Sequence, residues 1–331
     1  MQIQKNIPLS TYTSLRVGGP AEFFVVAENE IDITEALEFA SEENLSITIL
    51  GTGSNILISE AGIKGLVLQV QTIGIEITGE NEKDSIITIA AGENWDKVVA
   101  WANEHGLWGI ENMSAIPGTV GAFAAGNIGA YGQEASQVIT AVDALEIDTH
   151  APRIFSNEEC LFAYRKSIFN STEKGKYLIT TVSIRLSKTA KPNLSYKGLL
   201  EYFAQKESKE INLESIRKAV IEIRAAKLPD PKIIPNAGSF FKNPIIDGVK
   251  QSAAALIEKC GLKGFEIGGA KVSSTHALVI TNTGTATPED VFNLAKYVRR
   301  EVHAKTGIAL EPEPLFLGFT DQQLEEFYDL T

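Results

Sequence analysis

An α+β fold in three lobes is predicted for this chain by three observations. Residues 116–132, IPGTVGAFAAGNIGAYG, hold five glycines and four alanines. With so little side-chain bulk, their backbone is open to close approach by a ligand, and amide N–H groups can grip phosphates or the edge of a flat ring. GTGSN at 51–55 directly follows the apolar run 47–50, which reads as a strand feeding a tight anion-binding turn. Short strand-like runs alternate with segments of helical period along the chain. Together the two glycine-bearing loops suggest a pyrophosphate-containing cofactor lying against two separate backbone segments. Small-residue packing for the first loop and an ordinary turn for the second are the structural alternative.

The first lobe, 1–75, opens with a Gly-Gly-Pro turn in RVGGPAEFFVV that delivers a short strand. A helix follows over 34–43 with Leu37 and Ala40 inward, and Asn44 stops it. The strand 47–50, its turn and a further strand at 65–70 complete a small β-α-β unit. The second lobe, 76–208, has a strand at 85–91 and a helix capped by Asn94. Trp95, Val98, Val99 and Ala102 share one face of that helix before Gly106 ends it. The glycine-rich stretch comes next, then strands at 141–147 and 178–186, with CLFAYRKSIF at 160–169 setting Arg165 among aromatic and apolar residues.

QKESKEIN at 205–212 has the polar, charged composition of a linker. The third lobe, 209–317, begins with a helix capped by Asn212 that runs to Ala226, with Ile216, Val220 and Ile223 inward, and is stopped by Leu228–Pro229–Asp230–Pro231. Then come a helix at 253–259 ended by Gly261, a turn at Gly268–Gly269 and a strand at 277–281. A long helix has Thr287 as N-cap, Pro288 at its first position and Gly307 at its end. The amphipathic tail DQQLEEFYDL is expected to pack back on the first lobe.

Composition narrows the partners. Of the 331 residues 44% are hydrophobic and 22% charged, an ordinary globular balance. No apolar run reaches the ~18 residues of a membrane span, and the start MQIQKNIPLS lacks a signal-peptide core. The expectation is a cytoplasmic protein with no membrane partner, acting as a monomer. A net charge of −12 with scattered Lys and Arg argues against nucleic acid. Cys160 and Cys260 lack CxxC spacing, and the four histidines form no HxH or HExxH pattern. Reduced thiols and no metal site are expected.

Familiar nucleotide motifs are missing. The turn G-T-G-S-N-I lacks the third glycine of a dinucleotide fingerprint, and no GxxxxGK with Ser or Thr is present. NAGSFFKNP at 236–244 places Ser239 after Ala237–Gly238 and before two phenylalanines. Taken alone, that segment reads more readily as a turn serine capping local backbone than as a hydrolase nucleophile. Glu311–Pro312–Glu313–Pro314 sits between apolar runs, where a carboxylate is held rigidly and partly desolvated, toward use as an acid. A solvated rim turn fits the same composition.

IPGTVGAFAAGNIGAYG, AYRKSIF, KLPDP, NAGSFFKNP and LEPE, in this order, closely resemble the UDP-N-acetylenolpyruvoylglucosamine reductases, flavoenzymes of bacterial peptidoglycan synthesis. The likeness runs from about Asn6 to Gly318. It implies an FAD-binding fold of the vanillyl-alcohol-oxidase type in the first two lobes and an α/β substrate-binding lobe third. It further implies FAD, NADPH as co-substrate and UDP-N-acetylglucosamine enolpyruvate as substrate; no His or Cys falls inside the cofactor loops, so the FAD is expected to be held non-covalently.

Carried over by position, Gly51, Gly53, Ser54 and Asn55 fall on the family's pyrophosphate turn, and Ile116, Gly118, Gly121, Gly129 and Tyr131 on the flavin-lining segment. Ile179 and Arg224 fall on further cofactor positions. Arg165, Ser239 and Glu313 fall on the catalytic ones, and Tyr196, Lys227, Asn243 and His276 on positions that hold the substrate. Three features depart from the members that carry a tyrosine loop. The segment 245–252 is short, His276 replaces a glutamine before Ala-Leu-Val, and TSLRVGGPAEFFV looks like members without that loop.

The implied reaction adds hydride to the terminal vinyl carbon of an enolpyruvyl ether and pushes charge onto the adjacent carbon and its carboxylate. A guanidinium such as Arg165 suits the carboxylate, a protonated Glu313 can share it, and Ser239 can give the proton. A flavin oxidase or dehydrogenase of the same fold would explain the cofactor loops but not KLPDP with NAGSFFKNP. A silent flavin or nucleotide-sugar binding module would leave the retained Arg165, Ser239 and Glu313 without a reason.

Overall fold

The computed structural model describes residues 1–205 and 210–330, so part of the linker at 205–212 lies outside the described residues. The chain groups into two compact units. One contains Met1–Gln2, Val25–Gly51 and Leu68–Ala226; the other contains Ile3–Phe24, Thr52–Val67 and the chain from Lys227 onward.

In the first unit the helix α1 (Glu30–Glu42) starts at Asn29, whose side chain accepts the Asp32 N–H. This start lies upstream of the one predicted at 34. In the opening turn Ile33 is buried but Ile31 is exposed, so its two isoleucines do not mark a single apolar face. Five antiparallel strands form the main sheet, in the order Pro152–Ser156, Ile139–Glu146, Tyr177–Ser187, Asp84–Ala90 and Ile75–Glu80. Asp84–Ala90 alternates strictly, burying Ser85, Ile87 and Ile89.

Helix α2 (Trp95–Glu104) is capped by Asn94, which accepts the Lys97 N–H at 3.0 Å. Its Trp95 stacks on Phe123 of α3 (Val120–Ala125), with ring centroids 3.4 Å apart. Two further helices, α4 (Lys197–Ala204) and α5 (Leu213–Lys227), bury Leu199, Phe203, Ile216 and Val220 against Trp108. Asn212 caps α5 by accepting the Ser215 N–H at 2.8 Å.

The second unit is built on a four-stranded sheet ordered Asn236–Ser239, Val279–Asn282, Ala270–Val272 and Glu266–Ile267. Helices α6 (Ala253–Lys259), α7 (Pro288–Thr306) and α8 (Asp321–Tyr328) complete it. Thr287 caps α7 in a reciprocal box with Asp290, and Gly307 closes the helix in the left-handed region at φ +72°. The tail enters this unit's core. Phe327 is fully buried in a cluster with Leu57, Phe240, Ile280, Leu294 and Val298. The strand Leu315–Leu317 pairs parallel with Ile56–Ile58. Among the described residues no helix is long and apolar enough to cross a membrane.

Candidate active site

Within the first unit Gly51, the first residue of GTGSN, lies against the 116–132 stretch. A Cβ on Gly51 would lie 2.9 Å from Thr119 Oγ1, and one on Gly121 would lie 3.0 Å from the Ala91 side chain. Gly51 also accepts a hydrogen bond from Gln69 Nε2 at 3.3 Å. Neighbouring chain leaves little room for side chains at both glycines, so what these stretches can offer a ligand is amides and small groups. That chemistry fits the diphosphate and flat ring of FAD, with Ile116, Gly118 and the buried Ile179 in the same unit.

Two glycines are required by the protein's own backbone. In the second unit Gly53 has φ +64°, and a Cβ there would lie 1.9 Å from the Tyr12 carbonyl oxygen. A Cβ on Gly129 would lie 2.6 Å from the Gln133 carbonyl oxygen. Close approach was legible in the sequence at these positions, and the protein's own backbone comes that close. Ser54 is half-buried and its hydroxyl accepts from Thr52 Oγ1, while Asn55 Nδ2 donates to the Glu313 carbonyl at 3.3 Å.

Tyr131 sits at the tip of the short hairpin Gly129–Ala130 and Gln133–Glu134, with φ +50°. Its ring meets that of Tyr196 edge-on at 4.9 Å, and Arg224 hydrogen-bonds to it. Burial raises the Tyr131 hydroxyl above its ordinary value, and the Arg224 charge opposes that rise. Burial likewise lowers the Arg224 guanidinium, opposed by Tyr131 and Asp96. An arginine remains charged through any such shift, so Arg224 brings a positive charge beside the two tyrosines.

Arg165 occupies the third position of a tight turn. Ala163 and Lys166 exchange backbone hydrogen bonds of 2.9 and 3.0 Å across it, and Arg165 has φ +56°. A non-glycine residue in that region is held there by its surroundings. Asn127 Nδ2 donates to the Ala163 carbonyl, Asn170 Nδ2 donates to the Arg165 carbonyl, and Arg165 Nη1 donates to the Gly129 carbonyl at 3.0 Å.

Ser239 and Glu313 are brought together in the second unit. Gly238 turns the chain at φ +71°, and the buried Asn236 accepts the Gly238 N–H at 2.8 Å, fixing the approach to Ser239. The Glu313 N–H then donates to the Phe240 carbonyl at 2.9 Å, Lys242 N–H donates to Glu311, and Phe241 bridges Pro312. The two segments that carry Ser239 and Glu313 therefore lie side by side, and both residues are half-buried. Glu311 is instead exposed and pairs with Lys242 at 3.4 Å.

His276 is fixed in one tautomer, since Leu278 N–H donates to its Nδ1 at 3.3 Å, leaving the proton on Nε2. Burial, then the charges of Lys227 and Lys263, lower its pKa from 6.5. Asn243 Oδ1 accepts the Ala253 N–H, so a ligand would meet the NH2 end of this side chain. Lys227 is exposed.

One pH effect follows. A histidine whose folded pKa is depressed stays neutral while the unfolded chain takes up its proton, so its stabilising contribution is complete above pH 6.5 and is lost as pH falls through the folded value. His276→Gln is expected to lose less melting temperature on acidification below pH 6.5 than the parent. Parallel melting curves would remove His276 from this account.

Two polar clusters were missed in the sequence. Glu111 and Asn112 are fully buried, and a charged residue inside Ile110–Met113 was the available signal. Asp96 accepts from Arg217 Nη1 and Nη2 at 2.6 and 3.0 Å and from the Ala115 N–H at 2.6 Å. Burial pushes its carboxyl up, but these donors and the Arg224 charge outweigh it and hold the group below the usual range.

Comparison with known proteins adds to this geometry. A family model described as an FAD binding domain matches residues 21–149. A second, described as the UDP-N-acetylenolpyruvoylglucosamine reductase C-terminal domain, matches residues 230–317. The UDP-N-acetylenolpyruvoylglucosamine reductase of Bdellovibrio bacteriovorus is 39% identical, covering 95% of this chain and 99% of the relative. The same-named protein of Salmonella typhi is 38% identical over 94% and 95%. The crystal structure of the reductase from Thermus caldophilus superposes with TM-score 0.73 at 27% identity, covering 96% of this chain and 99% of that one.

An FAD-binding domain joined to a reductase C-terminal domain makes this chain an FAD-dependent oxidoreductase. It belongs to the UDP-N-acetylenolpyruvoylglucosamine reductase family.

Proposed function

We propose that this chain reduces UDP-N-acetylglucosamine enolpyruvate to UDP-N-acetylmuramate with NADPH, through non-covalently bound FAD, in peptidoglycan precursor synthesis. The observation that carries this reading is similarity over nearly the full length of both chains to reductases of that name. Bound FAD supplies the hydride chemistry. The lobes 1–75 and 76–208 hold the cofactor and 209–317 holds the substrate. The enzyme acts as a cytoplasmic monomer.

The residues divide the remaining tasks. Arg165 forks onto the substrate carboxylate, where negative charge grows as the vinyl carbon is reduced. Glu313, in its protonated form, hydrogen-bonds a carboxylate oxygen from the segment beside Ser239. Ser239 Oγ gives its proton to the carbon next to the carboxylate. A hydroxyl is a weak acid, but the carbanion-like centre it meets is a strong base, so position decides the transfer. Tyr196, Lys227, Asn243 and His276 hold the diphosphate and the sugar-uridine portion. Gly51, Gly53, Ser54, Asn55, Ile116, Gly118, Gly121, Gly129, Tyr131, Ile179 and Arg224 hold the cofactor.

The test is product identification. The yellow purified protein, given NADPH and the enolpyruvyl substrate, is expected to yield a compound two hydrogens heavier with loss of the vinyl signals. Bleaching by NADPH without that product would overturn the substrate assignment.

A further inference from the structure

We propose that the buried Glu111–Gln133 pair is a positioning element for Arg165, acting through the 129–134 hairpin. The inference rests on the carboxylate-holding role proposed above for Arg165. Glu111 is fully buried and Gln133 almost so. The Glu111 carboxylate accepts the Gly109 N–H at 2.7 Å and the Gln133 amide at 2.9 Å, and both partners are neutral. Burying a carboxylate against neutral donors is costly, and a neutral isostere would avoid that cost.

What the carboxylate brings is direction. Both of its oxygens accept here, which sets the Gln133 amide with its NH2 toward Glu111 and its oxygen toward the Asn112 N–H, at 2.9 Å. Asn112 then donates to the Tyr131 carbonyl and the Asn193 carbonyl, both at 2.7 Å. The hairpin is thereby held from below at both Tyr131 and Gln133. Its Gly129 carbonyl is the acceptor for Arg165 Nη1, and Gly129 stands opposite Glu134 in the register. A shift of Gln133 therefore moves the acceptor that aims the guanidinium. Displacements of about 1 Å at a positioned group can cost about 10²-fold in rate.

The test uses the holoenzyme and a reciprocal swap. Glu111→Gln sets an amide NH2 against the Gln133 NH2. It is expected to weaken binding of the enolpyruvyl substrate to the oxidised enzyme, read from the flavin absorbance, and to slow reoxidation by about tenfold to 10²-fold. Glu111→Gln with Gln133→Glu restores every donor and acceptor in the chain of contacts and is expected to recover most of both losses.

The decisive readout is coupling. In an Arg165→Lys background Glu111→Gln should add little further loss, because the group it aims is already gone. Equal fractional losses in both backgrounds would overturn the inference, as would a double swap that stays impaired or does not fold. Near-normal kinetics of Arg165→Lys alone would instead overturn the underlying role of Arg165.

Discussion

In the Ser239→Ala enzyme NADPH is expected to reduce the flavin at the parental rate, while reoxidation by the enolpyruvyl substrate slows by at least the ~10²–10⁴ that follows loss of a positioned acid. The first half-reaction needs no proton at the substrate carbon, so only the second should respond. Ser239→Cys should recover part of the loss, since a thiol donates from nearly the same place. A merely structural serine predicts otherwise, namely a stability loss of about 1 kcal/mol with both half-reactions affected little or together. The structure favours a clean experiment. Ser239 is approached through the Asn236 hydrogen bond and the Gly238 turn, neither of which uses its hydroxyl. Equal slowing of both half-reactions would sink the proton-donor role.

Arg165→Ala and Arg165→Lys are both expected to impair turnover severely. The loss should fall on the step in which charge builds on the carboxylate. Lysine keeps the charge but lacks the planar fork, and so holds the carboxylate at one point. It also cannot both donate to the Gly129 carbonyl, as Arg165 Nη1 does at 3.0 Å, and present two parallel donors to substrate. Near-normal kinetics for the lysine variant would show that Arg165 is structural.

Local signals carried much of the fold. Asn94, Asn212 and Thr287 cap the helices they were expected to cap, and Gly307 ends the last long helix in the left-handed region. Those devices act within a few residues and so are written in the local sequence. The strands Ile75–Glu80 and Pro152–Ser156 were missed because they expose most of their side chains, which removes the alternation that marks a strand. Helix α4 was missed as well, since it is short and lies between a strand and a charged segment.

Long-range pairing was the other blind spot. Chain compactness divides the molecule within Pro20–Ala27 and Ile63–Val70, whereas changes of composition suggested divisions near 75 and 208. The pairing of Leu315–Leu317 with Ile56–Ile58 links segments that no window along the chain contains together.

The site shows the same split. The residue types proposed for catalysis and the small-residue loops could be picked out in the sequence, whereas the hydrogen bond from the Glu313 N–H to Phe240 that sets its segment beside that of Ser239 could not. Nor was the left-handed backbone at Ala115, Tyr131 and Arg165, because none of these residue types advertises it.

The most direct test of the central claim is a single-turnover experiment without oxygen. The enzyme is reduced with one equivalent of NADPH, freed of nicotinamide, and mixed with UDP-N-acetylglucosamine enolpyruvate while flavin absorbance is followed. The account predicts full return of the oxidised spectrum, with one UDP-N-acetylmuramate formed per flavin. A flavin that stays reduced with that compound, and reoxidises only when oxygen is admitted, would contradict it.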